Sequence, residues 1–130
     1  MKVSTPILLD KIPAILKPLL ASLTGFVRTV KAGDSCLIRT NRDNGRADWS
    51  VPVRFEGRVG NSKAAKLIIA GERWILKENQ ACMFTFEDRN RCVYAVRVTN
   101  AGRTHGDNMA VRIESAREVS IVWDRIGSQK

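Results

Sequence analysis

Apolar and polar side chains alternate through the middle of the chain. Over residues 50–59, Val51, Val53, Phe55 and Val59 fall on one side of an extended backbone, and Arg54, Glu56 and Arg58 on the other. A period of two is that of a strand with one buried face. Residues 66–70 and 73–77 repeat the pattern around a turn at Gly71, and residues 83–86 and 91–99 do so around Asp88, Arg89 and Asn90. Asp88 and Asn90 are turn formers, because their short side chains hydrogen-bond the local backbone. In the last of these strands Cys92, Tyr94, Val96 and Val98 alternate with Arg91, Ala95, Arg97 and Thr99. Residues 26–31 read as a further strand, 32–34 as a turn and 36–40 as its partner. Met109, Val111 and Ile113, then Val119, Ile121 and Trp123, mark two closing strands about a turn at 115–118.

A different period holds at the start. Ile12, Ile15, Leu16, Leu19, Leu20 and Leu23 recur at three and four residues, the spacing of one helix face. Pro13 and Pro18 each remove a helix hydrogen bond, so two short helical pieces or a kinked one are expected, with Gly25 as terminator. Charges at Asp10, Lys11 and Lys17 break the apolar run, which fits neither a signal peptide nor a membrane span.

The sequence therefore predicts a mainly β chain of roughly nine short strands. The expected fold is a single-domain antiparallel meander closing into a small barrel, or a two-layer sandwich, with the N-terminal helical segment packed on one end. The division expected is a helical segment over 1–25, an antiparallel β domain over 26–125 and a flexible tail over 126–130. A chain of 130 residues fits one such core.

Charge narrows the partner. Lysine and arginine number 22 against 13 acidic residues, a net charge of +9, and arginine predominates. Such an excess favours an anionic partner, nucleic acid or an acidic protein surface, because the guanidinium fork matches phosphate and carboxylate. The densest basic set is Arg39, Arg42, Arg46, Arg54, Arg58, Lys63 and Lys66, with Trp49 as the one ring expected to be exposed beside it. Arg54 and Arg58, on one strand face about 13 Å apart, have a spacing suited to tracking a phosphate backbone. The sequence reading is thus a non-enzymatic nucleic-acid-binding module, and the alternative is a protein-interaction or inhibitor module whose basic face meets an acidic protein. A homodimer through an open sheet edge or the helix face is compatible with both.

Other chemistry is thinly represented. Arg103, His105 and Asp107 form a loop with enzyme-like residue types, in which His105 would serve a phosphoester enzyme as base, but no nucleophile or second acid accompanies it. Arg42 and Arg46 have the R-x-x-x-R form of cyclic-dinucleotide-binding PilZ barrels. The resemblance ends there, because Asp48 and Ser50 follow immediately and Val53 occupies the place of that family's glycine. No catalytic residue, metal or cofactor is assigned. Cys36, Cys82 and Cys92 lack zinc spacing. Cys82 and Cys92 could face each other across their hairpin, while reduced thiols in a cytoplasmic protein are the expected state.

Overall fold

The computed structural model describes residues 3–40, 50–103 and 108–124. Ten strands form two five-stranded antiparallel sheets packed face to face. The first sheet contains β1 (Ile7–Leu8), β2 (Thr24–Val30), β7 (Ala81–Glu87), β8 (Val93–Arg103) and β9 (Met109–Ser115), in the order β1-β7-β8-β9-β2. The second contains β3 (Ser35–Thr40), β4 (Val51–Arg58), β5 (Ala65–Ile69), β6 (Glu72–Leu76) and β10 (Val119–Trp123), in the order β10-β3-β4-β5-β6.

The alternation read from the sequence is what builds the core. Val51, Val53 and Phe55 of β4, Leu67 and Ile69 of β5, Phe84 and Phe86 of β7, and Val96 and Val98 of β8 all point between the sheets and are buried. The hairpin joining β7 to β8 forms where the turn residues placed it. Asp88 accepts the backbone N–H of Asn90 at 2.8 Å and of Cys92 at 2.9 Å, and the Tyr94 hydroxyl donates to it at 3.2 Å.

The sheets do not close into a barrel. Residues 36–40 are not the partner of 26–31: β2 pairs with β9, and β3 with β10 and β4. The segments after β2, β6 and β9 each cross from one sheet to the other instead of reversing into hairpins. Gly33 and Asp34 fasten the first crossing, the Gly33 N–H donating to Phe55 O and the Phe55 N–H to Asp34 O, both at 2.8 Å.

The N-terminal segment lies on the outer face of the first sheet, not on an end. Its prolines leave two short 3-10 turns, Leu9–Lys11 and Ala14–Leu20. Ile12 is buried with the outward-facing Met83 and Ala95, and Leu16, Leu20 and Leu23 pack against that cluster. Ile15 and Leu19 face solvent, so the apolar stripe is only partly used. Among the described residues no helix is long and apolar enough to cross a membrane.

All three cysteines are free thiols. Cys82 pairs with Val98, whereas Cys92 lies beyond the closing pair Glu87↔Val93, so the length of β7 separates them. Burial pushes the Cys36 and Cys82 thiols up to about 12 from an ordinary 9.0, the Arg28 charge opposing this only in part at Cys36. The thiolate is the reactive form. In the folded chain at pH 9 a thiol reagent should therefore modify the half-exposed Cys92 and spare Cys36 and Cys82. Mass spectrometry should find one adduct without denaturant and three with it, and rapid labelling of all three in the folded chain would contradict these burials.

Candidate functional site

The outer face of the second sheet gathers basic side chains from four strands. Arg54 of β4 and Arg73 of β6 flank Ile68 of β5 in one cross-strand row. Two strand spacings separate them, about 10 Å. Lys66 stands on the same face two residues from Ile68. Arg39 of β3 lies four residues from Ser35, the partner of Arg54, or about 13 Å along the strand. Glu56 of β4 lies among them, and its carboxylate pairs with Arg73 at 3.3 Å. Arg73 is exposed and Glu56 half-buried in that pair, which offsets one charge of the face and leaves Arg39, Arg54 and Lys66 in excess.

Of the sequence-predicted residues, Arg39, Arg54 and Lys66 share this surface and Arg58 does not. A bulge between Phe55 and Gly57 places Gly57, at φ 105°, opposite Lys66 and Arg58 opposite Ala65. Ala65 points into the core, so the Arg58 side chain leaves the strand on the side opposite Arg54. Lys63 lies in the turn after β4 and pairs with Glu78 at 3.7 Å. Arg42, Arg46, Trp49, His105 and Asp107 lie outside the described residues, and Arg103 is the last residue of β8.

Arg73 shares this face and the sequence reading omitted it. The signal available was its place opposite Ile68 across the two-residue turn at Ala70 and Gly71, which fixes the register. The face also exposes three aliphatic side chains, Leu37, Ile75 and Val122, at 38%, 51% and 41%. No aromatic ring projects from it among the described residues, since Phe55 and Tyr94 are buried and Trp74 and Trp123 are half-buried on inner faces. No cluster of three or more metal-ligating side chains occurs among the described residues.

The chain matches no protein-family model, no curated protein and no solved structure.

Proposed function

We propose that the chain is a non-enzymatic module that binds the sugar–phosphate backbone of nucleic acid through the outer face of its second sheet. The observation that supports this reading is the gathering of Arg39, Arg54, Lys66 and Arg73 on one sheet face, where the Glu56 carboxylate pairs with Arg73 alone among these four. Side chains on a sheet are held at fixed spacing, so several phosphates are met without ordering a loop. The lack of a ring on this face among the described residues favours backbone contact over base stacking.

Fluorescence anisotropy with labelled duplex and single-stranded oligonucleotides tests it. Four phosphate contacts predict a log–log salt slope near −3.6 on duplex, so affinity should fall about a hundredfold between about 50 and 200 mM salt. Arg54→Ala and Arg39→Ala should each lower the slope by about one. Absence of binding at the low-salt end would refute the reading.

A second reading rests on Leu37, Ile75 and Val122, whose exposure among arginines suits an acidic protein surface with an apolar centre. Leu37→Ser with Val122→Ser should leave oligonucleotide affinity unchanged under the first reading and weaken capture of an acidic protein under the second.

A further inference from the structure

The two sheets part company along one side. On β2, the register sets Phe26 opposite Ile113, Arg28 opposite Val111 and Val30 opposite Met109, so all three face the inter-sheet space. Val30 is buried, Arg28 lies 4.5 Å over the ring of Trp123 on β10, and Phe26 is 90% exposed. Beyond the Arg28–Trp123 contact the gap widens into an open groove of about 500 Å³, floored by Ile113, Val119 and Ile121. β2 and β10 are also the edge strands of their sheets, each with one side unpaired among the described residues. A seven-residue edge strand with one charge and an inward, uncovered phenylalanine is the arrangement that invites another strand.

We infer that this side of the sandwich takes up an extended acidic segment of a partner protein, added as a sixth strand beside β2. The groove supplies the charge complementarity: among the described residues Arg28 and Arg117 line it and no Asp or Glu does. The cation–π contact with Trp123 uses no hydrogen-bond acceptor, and the Arg28 guanidinium has N–H groups with which to form a charge-assisted fork with a carboxylate. On a strand paired to β2, side chains two residues apart share the inner face. The incoming segment therefore carries a carboxylate opposite Arg28 and, two residues away, an apolar side chain opposite Phe26. A second copy of this chain is a poor occupant. Its β2, Thr-Gly-Phe-Val-Arg-Thr-Val, offers no carboxylate, and each copy bears a net charge of +9. This surface is distinct from the basic sheet face, so either can fail without the other.

The probe is a capped octapeptide, Thr-Val-Thr-Glu-Thr-Val-Thr-Glu, titrated into the ¹⁵N-labelled full chain. It should shift the amides of residues 24–30, and the version with both glutamates changed to lysine should bind at least about tenfold more weakly. Arg28→Glu should reverse that preference, and Phe26→Thr should weaken both peptides. Both positions are exposed, and an unchanged pattern of amide signals elsewhere verifies that the variants fold. Equal binding of the two peptides, unmoved β2 amides, or an Arg28→Glu variant with unaltered preference would each overturn the proposal. So would a concentration-dependent dimer that Phe26→Thr disperses, which would give the groove to a second copy.

Discussion

Asn100→Ala should lower the free energy of unfolding by about 3–4 kcal/mol, the largest loss expected of any single polar residue described here. Asn100 sits in β8 of the first sheet, 1% exposed, and its side-chain amide donates to the carbonyl oxygens of Lys63 and Leu76, each at 2.9 Å. Both acceptors belong to the second sheet or its turns, so one side chain ties the two layers together. Its Oδ1 accepts the Gly102 N–H at 2.9 Å, holding the bulge that follows. Alanine would strand the Leu76 carbonyl and the Gly102 N–H away from water, at about 1–3 kcal/mol each, and remove the partly buried bond to the Lys63 carbonyl as well. Urea denaturation should show a lower midpoint with an unchanged slope, and the melting temperature should fall by about 10 °C. Asn100→Asp should be at least as damaging, because a carboxylate cannot donate to either carbonyl. A midpoint within experimental error of the parent chain would mean that water replaces these bonds.

Asn100 also shows where the sequence ceased to be readable. It opens a polar stretch running to Asn108, and polarity alone assigns it to a loop. The strand continues to Arg103 because the buried polar group finds partners on the opposite sheet, a fact of tertiary structure with no local signature. The alternating faces of β4, β5, β7, β8 and β9 were legible, since each buries one face and a period of two records it. Pairing across the sandwich was not. The turns at 31–34 and 115–118 look like hairpin turns in composition, yet they carry the chain between layers, and only the packing of both sheets distinguishes the two outcomes. On the basic face, Arg39, Arg54 and Lys66 were singled out by the density of basic residues in the sequence, and strand phase turned Arg54 outward. Arg58 was misplaced because one extra residue at the Glu56–Gly57 bulge reverses every side chain after it. The groove was hidden for a related reason: Phe26 and Trp123 alternate as core residues do, and it is the divergence of the sheets that leaves one uncovered.

Gly25→Val should detach β2 while the rest of the sandwich stays paired. Strand phase permits any residue here, and on the sequence Gly25 reads as a helix terminator. In the structure it lies within β2, opposite Glu114, where β9 comes so close that a β carbon would overlap the Ile113 carbonyl oxygen and stand 2.9 Å from Glu114 Cα. Neither obstacle is a side chain that can rotate away, so the backbones must separate. Overpacking of this kind costs about 1–3 kcal/mol, and valine on an edge strand should fall at the upper end. Edge pairing is the inexpensive place to yield, because β2 buries only Val30 among its seven residues. Amide hydrogen exchange should accelerate across residues 26–30, while protection in β4, β7 and β8 remains close to that of the parent chain. Losing β2 removes Phe26 and Arg28 from the groove and leaves Arg39, Arg54, Lys66 and Arg73 on the opposite layer untouched. The variant should consequently lose the acidic octapeptide and keep the salt-dependent oligonucleotide binding. Loss of both activities together would place them on a single surface, and that result would contradict the separation of the two faces on which both proposals depend.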